Sequence, residues 1–148
     1  MVLQKILKVN LKKVNKMNKI LLLSGALLLS SCFDGGDAQA QDVALGKSVF
    51  EKNCVTCHGK EAAGTVKNWK KTLPNGKYPA PPLNGSAHAW HHSPKLLLST
   101  LNEGGAKFGG WMPPFKNQLS AKEKQAVLDY LHSLWPADIQ QKYDARFK

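Results

Sequence analysis

Two thiols three residues apart with an imidazole directly after them occur at Cys54-Val55-Thr56-Cys57-His58. No other stretch restricts the possible folds of this chain so tightly. C-x-x-C-H is the pattern of covalent c-type haem attachment: each thiol adds across a vinyl group, and the histidine is carried under the iron as an axial ligand. A fold that accepts the motif must wrap a large flat cofactor. Other uses of the same residues fit less well. A thioredoxin-like C-x-x-C needs a βαβ setting, and no strand-rich alternating stretch flanks Cys54. A zinc site drawn from Cys54, Cys57, His88 and His92 would leave about thirty residues between its halves, roughly twice the usual gap.

A second axial ligand has few sources. Methionine occurs only at Met1, Met17 and Met112, and the first two fall in a segment expected to be removed. Met112 sits in Gly109-Gly110-Trp111-Met112-Pro113-Pro114-Phe115. There the glycines allow close backbone approach to a flat ligand, and the prolines stiffen the loop presenting the sulfur. His58 and Met112 together would give a six-coordinate iron of relatively high potential, suited to carrying single electrons. A methionine that merely fills a core gap is the plainer alternative.

With these residues in place the chain resembles a small monohaem class I cytochrome c, over about residues 42–135. An early C-x-x-C-H, a late Met-Pro-x-Phe loop and a closing amphipathic helix carry the likeness. The resemblance implies an all-α fold whose helices and irregular loops pack around one covalently bound haem c with its iron. It assigns attachment to Cys54 and Cys57, and ligation to His58 and Met112. Pro81-Pro82-Leu83-Asn84-Gly85 matches a family segment of the form Pro-x-Leu-x-Gly. By the same resemblance, the Pro81 carbonyl accepts the proton on the far nitrogen of His58 and fixes that ring. The family's first and last helices cross where a glycine meets an aromatic ring, which here implies Gly46 and Phe50 against Tyr130 and Leu131.

Local signals agree with helices. Asp42 to Asn53 reads as a short helix capped by Asp42, with Val43, Gly46, Val49 and Phe50 near one face. Ser93-Pro94 opens a second helix through Leu96, Leu97, Leu98 and Leu101 that stops near Gly104-Gly105. Ser120 and Glu123 form a capping box for a third, which runs through Val127, Leu128, Tyr130, Leu131 and Leu134 to Pro136. Residues 69–82, rich in Lys, Pro and Gly, predict an irregular loop over one haem edge. After Pro136, Ile139, Tyr143 and Phe147 recur at every fourth position, predicting a short amphipathic helix packed on the domain over residues 137–148.

The N-terminus indicates export. Six lysines between Lys5 and Lys19 precede the apolar run Ile20–Leu29, which is too short to span a bilayer but suits a signal-peptide core. Met17 offers an alternative start with its own short basic region. Leu29-Ser30-Ser31-Cys32 resembles the bacterial lipobox, making residues 1–31 a signal peptide and Cys32 the lipidated first residue. Ala38-Gln39-Ala40 is a competing A-x-A site that would yield a soluble periplasmic protein. Lipidation uses the third cysteine and leaves none for a disulfide. Residues 32–41 then form a flexible tether of about 15–20 Å typical span, and residues 42–136 the haem domain. A mature chain of 117 residues can bury only a modest core, so the apo chain should be poorly folded.

The formal charge is +11; loss of residues 1–31 removes six bases and no acid, leaving 15 bases against 10 acids, or +5. Export argues against nucleic acid as the partner. Lys60, Lys67, Lys70 and Lys71 follow the haem motif, and Lys107 and Lys116 bracket Met112. Such a basic rim would steer an acidic redox partner. His88-Ala89-Trp90-His91-His92 could bind a transition metal such as copper through His88 and His92 at helical spacing, hold a haem propionate, or replace the distal ligand. Trp90 is expected to cover haem surface. The expectation is a monomeric periplasmic one-electron carrier, not an enzyme, anchored to a membrane by Cys32. A haem sensor or small haem enzyme with a displaceable Met112, and a copper-handling protein using the histidine cluster, are the alternatives.

Overall fold

The computed structural model describes residues 34–148; the proposed signal segment and Cys32 lie outside the described residues. Ala38–Lys148 forms one compact unit. All regular elements among the described residues are helical: α1 (Asp34–Asn53), α2 (Val55–His58), α3 (Pro94–Glu103), α4 (Ala121–Ser133) and α5 (Ala137–Phe147). Single tight turns at Lys60–Ala62, Ala89–His91 and Ala106–Phe108 interrupt the connecting loops.

Helix α1 is already helical at Asp34, eight residues before the expected cap at Asp42. Residues 34–41 are therefore helical rather than a flexible coil, and 36–41 are exposed. Ala38, Gln39, Ala40 and Gln41 are good helix formers. Asp42 is instead interior to the helix, with its carboxylate 3.7 Å from Lys122 on α4.

The core gathers Val49 and Phe50 from α1, Leu101 from α3, Phe115 and Leu119 from the following loop, and Val127, Tyr130 and Leu131 from α4. Its tightest point is the crossing of α1 and α4. A Cβ on Gly46 would overlap the Ala126 carbonyl, so only glycine lets the two backbones meet there. One turn on, the rings of Phe50 and Tyr130 lie 5.5 Å apart and tilted by 57°, a contact that adds specificity to the burial. The crossing implied by the resemblance is present, with Ala126 as the residue that the glycine admits.

Capping follows the sequence closely. Ser93 Oγ accepts from the Leu96 amide at 3.3 Å with Pro94 in the first turn, and α3 stops at Gly104. Ser120 and Glu123 form the reciprocal box that opens α4. Residues 69–82 carry no helix or strand. Helix α5 packs through Tyr143, which is buried and edge-on to Trp135 at 4.8 Å, while His132 Nε2 and Asp144 Oδ1 are 2.9 Å apart. The Trp135 indole donates to the Leu83 carbonyl at 2.8 Å, tying the end of α4 to the proline-rich segment.

Candidate functional site

Helix α2 follows α1 with one residue between them. The amide of Cys54 donates to Phe50 O at 2.8 Å and that of His58 to Cys54 O at 2.9 Å. One helical turn thus places Cys54, Cys57 and His58 at positions i, i+3 and i+4, on one face. Both cysteines are free thiols, Cys54 buried and Cys57 partly exposed. Burial pushes the Cys54 thiol up to about 11, with the neighbouring Cys57 adding to the rise. At neutral pH Cys54 is protonated and a poor attacker for disulfide exchange.

The chain then turns back on itself. Glu61 and Ala62 both adopt left-handed backbone, with φ of 52° and 57°, a conformation that costs non-glycine residues energy and persists only where neighbours enforce it. The enforcing bonds are Gly64 N to His58 O and Leu83 N to Ala62 O, each 2.7 Å. They bring the Pro81 carbonyl to 3.0 Å from His58 Nδ1. A carbonyl can only accept, so Nδ1 carries the proton and the Nε2 lone pair is free to bind a metal. The ring is 8% exposed. Burial lowers the His58 pKa, against the opposing pull of the Pro81 bond, and keeps the imidazole neutral as a ligand must be.

The Met112 loop is pinned at both ends by backbone. Gly105 N donates to Met112 O at 3.0 Å, Phe115 N to Leu101 O at 2.8 Å and Lys116 N to Asn102 O at 3.2 Å. At Gly104, where φ is 77°, a Cβ would press into the Met112 carbonyl and the Pro114 nitrogen, so the loop can fold this closely only over glycine. The Trp111 indole donates to Tyr78 O at 2.7 Å and ties the loop to residues 69–82. Met112 is partly buried against the apolar cluster that also contains Cys54. A thiol pair, a neutral imidazole with one nitrogen oriented by a carbonyl, and a thioether on a pinned loop form a donor set that fits covalent haem.

The histidine cluster is placed differently from expectation. Ala89–His91 is a tight turn, so His88 and His92 do not stand on an α-helical face. Their rings meet edge-on at 5.4 Å; His88 also stacks on Trp69 at 5.4 Å, and Trp90 on His91 at 3.7 Å. Burial lowers the His88 pKa first, and the charges of His92, His91 and Lys70 lower it further. Among the described residues no group of three His, Cys, Asp or Glu side chains is arranged to hold a metal ion. An open hollow of about 360 Å³ lies beside His88, lined also by Trp69, Lys70, Ser86 and Ala87.

Of the lysines near the motif, Lys60, Lys67, Lys70 and Lys71 are exposed. Lys107 is held by Glu103 at 2.8 Å and Ser99 at 2.9 Å, which reduces its free charge. Sequence reasoning missed Lys124, which is buried on α4. Its position, three and four residues before Val127 and Leu128 in the apolar stripe, was the available signal.

With its described residues all helical or irregular, a long helix leading into Cys-x-x-Cys-His, and a Met-Pro loop packed on the same core, this protein is a small class I c-type cytochrome. Residues 41–131 match the family described as cytochrome C oxidase, cbb3-type, subunit III. Among curated relatives, the cbb3-type cytochrome c oxidase subunit FixP of Sinorhizobium medicae is 33% identical over 104 residues, covering 66% of this chain and 32% of the relative. Subunit CcoP of Azospirillum is 30% identical over 101 residues, 68% of this chain and 31% of the relative. Cytochrome c-555 of Prosthecochloris aestuarii is 38% identical over 45 residues, 27% of this chain and 46% of the relative. No solved structure gives a significant match. The chain belongs to the family described as cytochrome C oxidase, cbb3-type, subunit III, whose cytochrome c domain binds haem c and its iron covalently. It spans about a third of the length of the FixP and CcoP relatives.

Proposed function

We propose that this chain is a monohaem one-electron carrier, tethered in the periplasm, that exchanges electrons with a redox protein. The observation that carries the reading is the 3.0 Å bond from His58 Nδ1 to Pro81 O within the C-x-x-C-H turn. Bound haem supplies the exchange of one electron between ferric and ferrous iron. Cys54 and Cys57 would hold it through thioether bonds, the sulfur and hydrogen of each thiol going to one vinyl group. His58 presents Nε2, with Pro81 fixing the tautomer. Met112 presents its sulfur from a loop whose backbone is held by Gly105, Leu101 and Asn102. Ligands fixed this way change little between oxidation states, which keeps reorganisation small. The FixP and CcoP relatives are named as subunits of a cbb3-type oxidase; for this chain they support a protein as redox partner. Exposed Lys60, Lys67, Lys70 and Lys71 favour an acidic one.

If His58 and Met112 both hold the iron, the ferrous protein would bind carbon monoxide slowly and weakly at neutral pH. Rapid, stoichiometric binding by the native protein would assign it instead to the sensor or small-enzyme class.

The layout that accompanies this reading has a signal peptide over 1–31, lipidated Cys32, a short spacer, the haem domain over 42–136 and the packed extension over 137–148. No described helix is long and apolar enough to cross a membrane. Lipidation with several acyl chains anchors stably where one chain does not. Cys32→Ser is therefore expected to release or mislocalise the protein while leaving the haem spectrum unchanged. A wild-type protein of unlipidated mass in the soluble fraction would refute the tether.

A further inference from the structure

Lys124 is a buried cation with no part in the chemistry described so far. It occupies α4 on the same face as Val127, Leu128 and Leu131, where an apolar side chain would continue the core stripe. Its side chain instead carries an ammonium inward. Nζ donates to Asn102 Oδ1 at 2.7 Å and to the Lys116 carbonyl at 3.5 Å. An ammonium held by two acceptors favours conformations that keep both in place, because losing either costs a charge-assisted hydrogen bond. Both acceptors flank the Met112 loop. Asn102 lies in the last turn of α3, two residues before Gly104, and its backbone carbonyl accepts from the Lys116 amide. Lys116 is four residues beyond Met112. The loop is thus a narrow arch closed by Gly105 to Met112, Leu101 to Phe115 and Asn102 to Lys116, with Lys124 bridging both sides of its open base.

We propose that Lys124 is a positioning residue for the distal ligand: its ammonium clamps the base of the Met112 loop to α3 and thereby holds the Met112 sulfur against exchange. The inference rests on Met112 being the iron ligand. The clamp acts on the rate and equilibrium of sulfur departure, so exogenous imidazole binding to the ferric holoprotein reports it. Lys124→Met keeps the stem's apolar contacts and removes the donor. It is expected to bind imidazole at least about tenfold more tightly than wild type, the scale of one charge-assisted hydrogen bond. Amide exchange at Phe115 and Lys116 should accelerate with it, while the haem stays attached and the denaturation midpoint shifts little. Because Lys124→Met strands the Asn102 amide, the double variant Lys124→Met/Asn102→Leu supplies the same readouts should the single variant fail to fold. Unchanged imidazole affinity in the folded variant, with protection at Phe115 and Lys116 intact, would overturn the proposal. Met112→Ala separates the two levels: if it leaves imidazole affinity unchanged, the ligand assignment itself fails; if it raises affinity and Lys124→Met does not, only the clamp fails.

Discussion

Met112→Ala is expected to abolish the weak near-infrared charge-transfer band of thioether-ligated ferric iron and to lower the reduction potential. The fall should be on the order of 0.1 V, a fraction of the roughly 0.8 V range that axial ligands command. Thioether sulfur favours the ferrous state, and water or hydroxide in its place favours the ferric state. Folding should survive the change. Met112 is only partly buried, so truncation should cost less than the about 2–5 kcal/mol of a fully buried Met→Ala. Nothing in the backbone frame of the loop depends on that side chain: the pins are Gly105 N to Met112 O, Phe115 N to Leu101 O and Lys116 N to Asn102 O. Loss of the band with retained helical content would therefore isolate the ligand. A wild-type protein that lacks the band would move the assignment to a histidine of the 88–92 cluster.

Much of this arrangement was legible in the sequence because it rests on short-range chemistry. Caps at Ser93 and Ser120 need only a hydroxyl three residues from a free amide, and both formed. Gly46 was readable because the resemblance supplied its partner helix. The extent of α1 was not, since a strong cap signal at Asp42 competes with Ala38-Gln39-Ala40-Gln41, which continue a helix equally well. The strained pair Glu61-Ala62 has no local signal at all: bonds from residues 64 and 83 impose it. His88 and His92 misled through their spacing, because four residues apart implies a shared face only in an α-helix, and this segment is a single tight turn. Lys124 is one lysine among many by composition, although the apolar stripe around it marks it as inward-facing.

Covalent attachment is the claim on which the rest depends, and it separates sharply from ligation alone. Ligation by His58 and Met112, as proposed, would require the folded geometry: the Pro81 carbonyl at 3.0 Å, the buried imidazole and the pinned loop. Unfolding removes all three at once. The proposed thioether bonds from Cys54 and Cys57 would not depend on folding. Cys57→Ser should leave at most one such bond, and replacement of both cysteines should leave none. The decisive measurement is whether haem remains with the polypeptide of correctly matured wild-type protein in acid-acetone or on a denaturing gel. We expect it to remain quantitatively bound and to be lost completely from the Cys54→Ser/Cys57→Ser variant; recovery of free haem from the wild type would contradict the assignment of this chain as a c-type cytochrome.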